Sequence, residues 1–176
     1  MLRVAPFVYV DLDDFLASQS STDQPLFLLM LDAIQDPHNL GALIRSAACA
    51  GAQGVIIPKD RACGVTPAVE KASAGAVETV PVIQVTNLVQ ALERLKQAGC
   101  WAFGLTGEAD KSIYQADLRG NLVLVVGGEG EGLRPLVRKQ CDVLLAIPQY
   151  GGVSSLNASV AGGIVLFEAA RQRGTP

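Results

Sequence analysis

LFLLMLDAIQDPHNLGALIRSAACAG, running from Leu26 to Gly51, decides the fold class. Its first six residues are apolar without a break, the pattern of a strand buried on both faces. Asp32 ends the run and a DPHN turn follows. Leu40, Leu43, Ile44 and Ala47 then recur at i, i+3, i+4 and i+7, one face of a helix. A continuously apolar strand feeding an amphipathic helix is half of a βαβ unit, and the same rhythm continues downstream.

Val55 to Ile57 reads as a second strand. Thr66-Pro67 reads as an N-cap followed by Pro at the first helical position, opening a short helix toward Ala74. Val80 to Val85 is a strand, and Leu88, Ala91, Leu92 and Leu95 mark a helix that Gly99 stops. Trp101 to Leu105, Leu122 to Val126 and Val143 to Ile147 complete the strands, with a short helix over Leu133 to Gln140 before the last. Leu156 to Arg173 is a long final helix expected to carry Val160, Ile164 and Phe167 inward. The chain is therefore α/β, a mostly parallel sheet with helices on both faces. Residues 25–176 read as one domain. Residues 1–24 read as an acidic linker or tail, closed by QSSTDQP.

The chain has 176 residues, 49% hydrophobic and 18% charged, a globular composition for one domain. No apolar run is long enough to span a bilayer, and acids occupy the N-terminal region where a signal peptide needs an apolar stretch. A cytoplasmic protein follows as the expectation. Cys49, Cys63, Cys100 and Cys141 show no CxxC spacing and read as reduced thiols. His38 is the only histidine, which argues against a metal site. Net charge is −3. Asp11, Asp13, Asp14 and Asp23 against Arg3 account for it, so the remaining residues are balanced. Nothing resembles the basic footprint of a self-sufficient nucleic-acid binder.

Three segments placed after strands carry candidate chemistry, because open α/β sheets bind ligands at the carboxyl ends of their strands. In the first, Asn39 is expected to cap the helix that follows the DPHN turn. Arg45 is either a surface ion-pair partner or a cation suited to phosphate or a developing oxyanion. In the second, LVLVVGGEGEGLRPLV (Leu122 to Val137), a glycine-rich loop exposes backbone N–H groups. Its GGEGEG spacing is neither a dinucleotide fingerprint nor a Walker loop. Glu129 and Glu131 would repel a pyrophosphate and suit a cationic or neutral ligand, with Glu129 near a sulfonium or holding a hydroxyl. In the third, IPQYGGVSSLNASVAGGIVLFEAARQR (Ile147 to Arg173), Ser154 or Ser155 is a ready N-cap. That leaves Asn157 in the first turn as a candidate ligand contact.

Together NLGALIRSA, VVGGEGEGL and IPQYGGVSSLNASVAGGIVLFEA resemble the three signature motifs of the SpoU/TrmH-type RNA 2′-O-ribose methyltransferases of the SPOUT class. They match in order and spacing from about Leu26 to Arg173. DPHNLGALIRSA, VTNL and GEAD are closer still to the bacterial members that methylate a guanosine of large-subunit ribosomal RNA. The resemblance implies an α/β fold whose C-terminal part forms a deep trefoil knot, an exception to the unknotted rule. It implies S-adenosylmethionine held around Gly127, Ile147, Pro148 and Leu156, with Thr106, Gly107, Glu129 and Asn157 nearby. It also implies a homodimer with the active site at the subunit interface, and no metal. Asn39, Arg45, Glu129, Ser155 and Asn157 match the family's functional positions, with either Arg45 or Glu129 taking the hydroxyl proton. Full-length relatives carry an N-terminal RNA-binding domain, so residues 1–24 read as the remnant of that connection, and weak binding of 23S rRNA is expected of this chain alone.

Two other classes compete: a catalytically silent RNA-binding or ribosome-assembly module that kept the fold, and a nucleotide-binding oxidoreductase. The first is opposed by the retained Arg45, Glu129 and Asn157, the second by the GGEGEG spacing.

Overall fold

The computed structural model describes residues 5–174. Its strands are Phe27–Asp32 (β1), Gly54–Pro58 (β2), Val82–Val85 (β3), Trp101–Leu105 (β4), Leu122–Gly127 (β5) and Val143–Leu145 (β6). They form one sheet in the order β3-β2-β1-β5-β4-β6, with every neighbouring pair parallel. The helices are Leu12–Gln19 (α1), Pro37–Ala50 (α2), Pro67–Ala72 (α3), Leu88–Gln97 (α4), Pro135–Gln140 (α5) and Ala158–Arg173 (α6).

Side chains alternate across each strand, so the apolar runs build two cores. Leu29, Leu31, Val55, Ile57, Leu124 and Val126 face one way and pack with α2, α3 and α6. Leu28, Met30, Ile56, Ile83, Val123 and Val125 face the other way and pack with α1, α4 and α5. This explains why no polar residue interrupts Phe27 to Leu31: both faces of β1 are covered. From β1 the chain moves outward to β2, whereas from β5 it moves past β4 to β6. The strand order thus reverses between β1 and β5, and a crevice opens at their carboxyl ends.

Three readings change. Residues 1–24 are not a bare tail, because α1 lies within them. Asp11 caps α1 by accepting from the N–H groups of Asp13 and Asp14. Its Leu12 and Phe15 are buried in the second core, and Val10 bridges Ile83 at the edge of β3. The two apolar positions were outweighed by the surrounding acids. Next, α2 is capped by Asp36 rather than Asn39: its carboxylate accepts from the N–H groups of His38 and Asn39, with Pro37 opening the helix. Finally, α6 buries Val165, Leu166 and Ala169, while Val160 and Phe167 are about half exposed and Ile164 is only partly buried. Because α6 is apolar on most sides, its periodicity selects no face; the sheet does. The caps read at Thr66-Pro67 and the stop at Gly99, with φ of +89°, stand as expected.

All four cysteines are free. Burial pushes the thiols of Cys100 and Cys141 up to about 11 and about 12, so both are protonated at neutral pH. No helix among the described residues is long and apolar enough to cross a membrane. Near its end α6 is tied to the β4–β5 connection. Buried Glu168 accepts from Arg171 through Nε at 2.9 Å and Nη2 at 2.8 Å, and from Gln172 at 2.7 Å. Gln172 also donates to the Ala116 carbonyl and accepts from the Leu118 N–H.

Phe15→Ala should cost about 3 kcal/mol of unfolding free energy in a urea titration, as an aromatic core truncation does; a change near zero would restore the tail reading. The Arg171 guanidinium holds the Glu168 carboxyl below its ordinary 4.5. A lowered carboxyl adds stability that is complete above its unfolded value and disappears as pH falls through the folded one. The stability difference between wild type and Glu168→Gln should therefore be constant above about pH 5 and close in acid.

Candidate functional site

Asp32, fully buried at the end of β1, pairs in register with Gly127 of β5. Its main-chain carbonyl accepts from the Gly128 N–H at 3.0 Å. Its carboxylate accepts twice from Arg134, from the backbone N–H at 2.7 Å and from Nε at 2.6 Å. One residue therefore holds both ends of the loop from Gly128 to Arg134. Within that loop the Gly132 N–H donates to the Gly128 carbonyl at 3.1 Å, and Gly132 is left-handed at φ +66°. A Cβ on Gly127 would strike the Gly132 backbone, so the turn requires glycine there. Neither Asp32 nor Arg134 stood out as a functional residue in the sequence. The available signal was an acid closing an otherwise wholly apolar strand.

Held in this way, the loop presents Glu129 to the starts of α2 and α6. Asn39, almost buried in the first turn of α2, donates from Nδ2 to Glu129 Oε1 at 3.1 Å. Asn157 donates from Nδ2 to the same oxygen at 2.5 Å and to Asn39 Oδ1 at 3.1 Å. The Asn157 Oδ1 caps α6, accepting from the N–H groups of Ser159 and Val160. The cap is thus Asn157, not Ser154 or Ser155, and Asn157 is needed for structure as well as for the site. Glu129 Oε2 accepts no hydrogen bond among the described residues and remains an available acceptor.

Glu129 lies in the wall of a cleft of about 590 Å³, a volume suited to a small-molecule ligand. The loop after β4 contributes Thr106 and Gly107, the glycine loop contributes Gly127 to Leu133, and the chain before α6 contributes Ile147 and Ser154 to Asn157. Seven of the eight positions expected around a cofactor line it; Pro148 does not. Ser155 lines it without a hydrogen bond, while Asn39 stands behind Glu129. Arg45 is the outlier: exposed on α2, it neither lines the cleft nor makes an ion pair among the described residues. Lining charges are Glu108, Glu129 and Glu131 against Arg138, which pairs with Glu108 at 2.8 Å across the rim. This surplus of acid favours a cationic ligand. No group of three or more His, Cys, Asp or Glu among the described residues could hold a metal ion.

Removing a partner from a buried ion pair is expensive. Asp32→Ala should therefore cost roughly 3 kcal/mol by chemical denaturation and hasten amide exchange between Gly128 and Arg134. Wild-type exchange in that loop would show that Asp32 does not hold it.

A family profile described as the SpoU rRNA Methylase family matches residues 26–167. The protein of Shewanella oneidensis named 23S rRNA (guanosine-2'-O-)-methyltransferase RlmB is 56% identical over 163 residues, which are 93% of this chain and 65% of that protein. Its namesake in Escherichia coli is 53% identical with the same coverage. The chain thus spans less than two thirds of the length of these curated relatives. Among solved structures, the SpoU methyltransferase AviRb from Streptomyces viridochromogenes in complex with AdoMet superposes with a TM-score of 0.84 at 29% identity. That match covers 97% of this chain and 67% of AviRb. The TrmH/SpoU tRNA modifying enzyme of A. aeolicus gives a TM-score of 0.75 at 28% identity, over 92% of this chain and 82% of its own. With the profile covering most of its length, and the three loops of that profile meeting at one cleft, this chain belongs to the SpoU rRNA methylase family.

Proposed function

We propose that this chain transfers a methyl group from S-adenosylmethionine to the ribose 2′-hydroxyl of a guanosine in 23S rRNA. The observation that carries the reading is the meeting of Asn39, Glu129 and Asn157, from three separate loops, at the wall of an acid-rich cleft. Relatives named for that activity, at above half identity, support the substrate class. The cofactor fits on three counts: cleft volume, backbone laid open by the glycine loop, and acids that complement a sulfonium. Thr106, Gly107, Gly127, Ile147 and Leu156 would hold it. When bound, it supplies a methyl group activated by the positive sulfur.

The chain's own groups orient and deprotonate. Two amide donors fix Glu129 through Oε1, which directs Oε2 as the acceptor for the ribose hydroxyl. Oε2 takes the hydroxyl proton as the ribose oxygen attacks, and the bound cofactor would supply the methyl group and leave as the neutral thioether. Ser155 positions the nucleotide. Arg45, outside the cleft of its own chain, completes the partner's cleft in a homodimer and stabilises the developing oxyanion there. Support for that dimer comes from the outer face of α6 and the loop before it, where Tyr150, Val153, Val160 and Phe167 are exposed. The reading includes a knotted path after β5, supported by the return of the chain from edge strand β6 to pack α6 against α2. Residues 25–176 carry the catalytic loops, with α1 packed on their second core, and the unit works in the cytoplasm.

The reading is tested by methyl transfer from labelled S-adenosylmethionine to unmodified 23S rRNA, with S-adenosylhomocysteine binding measured beside it. Glu129→Gln should lower kcat by roughly 10²-fold, the scale of a lost proton acceptor. Arg45→Ala should lose activity and still bind S-adenosylhomocysteine. Mixing the two inactive variants as exchanged dimers should restore roughly a quarter of wild-type activity, the statistical share of sites with both groups intact. No restoration would place Arg45 and Glu129 in one protomer's site. No cofactor binding by the folded wild type would instead favour the silent-module reading.

A further inference from the structure

The basic side chains of this molecule are unevenly employed. Arg94, Lys96, Arg119, Arg134, Arg138 and Arg171 are in ion pairs. Arg173 donates to the carbonyls of Pro25, Leu118, Arg119 and Gly120. Of the described basic side chains left without a partner, Arg45, Lys59, Arg61 and Lys71 fall in the single stretch from α2 to α3. Acids there are Asp36, whose carboxylate is occupied in capping α2, and Asp60 and Glu70.

Within that stretch Arg61 is held in an unusual way. Its φ is +57°, in the left-handed region that glycine occupies freely and that costs other residues roughly 1–2 kcal/mol. The amide of Gln35 donates to its carbonyl, and two residues on the Cys63 N–H donates to the Ile34 carbonyl at 2.8 Å. These bonds dock the loop after β2 onto the loop after β1, which carries Asn39 to Glu129. The Arg61 side chain is exposed and unpaired. The backbone thus tolerates strain at a position that suits glycine, and what the arginine adds is an exposed cation on a docked backbone.

We infer that Arg61, with Lys59 beside it, is a phosphate-docking residue for the RNA strand whose ribose reaches Glu129. The inference rests on the methyl-transfer reading and deepens it by giving the RNA backbone a path. Strand order places the roots of the two loops two strand spacings apart, about 10 Å. A phosphate flanking the reacting nucleotide can bridge that separation. Glu108, Glu129 and Glu131 on the cleft side repel phosphate, so the strand runs over the β1 and β2 side, where four of the six unpaired basic side chains among the described residues fall.

The test is fluorescence anisotropy of the full chain with a labelled single-stranded oligoribonucleotide containing guanosine, at several salt concentrations. Arg61→Ala should raise Kd about tenfold at low salt and reduce the slope of log K against log salt by roughly 0.7 to 1, the loss of one phosphate contact. Arg61→Lys should retain most of the affinity. Arg61→Gly should weaken RNA binding as much as Arg61→Ala while raising the unfolding temperature, which separates the lost cation from any loss of fold. Lys111→Ala, at an unpaired lysine in the loop after β4 beside the end of β6, should leave Kd unchanged. S-adenosylhomocysteine binding should be the same in every variant. An Arg61→Ala protein with wild-type Kd and slope, or a wild type that binds no RNA, overturns the docking role. The methyl-transfer reading fails separately, through loss of cofactor binding and transfer in the wild type.

Discussion

A buried carboxylate, Asp32, is the constraint from which the site is built. A charge removed wholly from water costs several kcal/mol unless hydrogen bonds replace its hydration. Here the replacement comes from Arg134, seven positions beyond the partner of Asp32 in the sheet register. Because the backbone N–H and the guanidinium of one residue both donate to it, the glycine loop has one favourable closure. Loop geometry is thereby tied to the pairing of β1 with β5, in register from Phe27 with Leu122 to Asp32 with Gly127. The loop's glycines supply the backbone freedom to turn, and Asp32 removes most of that freedom again.

The polar triangle depends on that closure. Asn39 and Glu129 are 90 residues apart, and Asn39 and Asn157 are 118 apart, yet each pair sits within hydrogen-bond distance. Hydrogen bonds to a carboxylate are stronger than neutral ones, so two amides converging on Oε1 fix Glu129 firmly. Asn157 couples the site to the fold, because the same side chain that donates to Glu129 caps α6. A helix start and the Glu129 carboxylate are thus held by one residue, and neither can shift alone.

Electrostatics divides the carboxyl edge of the sheet in two. Acid lines the cleft, whereas four of the six unpaired basic side chains among the described residues fall in the stretch from α2 to α3. The near-neutral charge of the chain conceals this separation, since a sum over residues carries no position. The same limit applies to α6, whose apolar residues cover more than one face. Only the sheet decides which of them form the core and which remain available to a partner.

The fold class was legible because parallel strands buried on both faces must be apolar throughout, as the unbroken runs at Leu26–Leu31 and Leu122–Val126 are. Site positions were legible where chemistry is local: glycines after a strand, acids among them, and an Asn beside the start of a helix. The caps went astray at Asn39 and Asn157 because Asp36 and Ser155 stand within three residues of them, and only backbone angles choose among neighbouring capping side chains. The segment before β1 was misread because Leu12 and Phe15 are too few to outweigh the acids around them until β3 provides a surface. Sequence alone determined the element order from β1 onward, the parallel sheet and the three loops, since each follows from polarity and backbone preference over a few residues. Tertiary structure alone decided that Asp32 closes the glycine loop, that Asn39 and Asn157 share one oxygen of Glu129, and that Arg45 lies outside its own cleft. Those facts are distances between residues far apart in the chain, and they exist only once the sheet has brought the strand ends together.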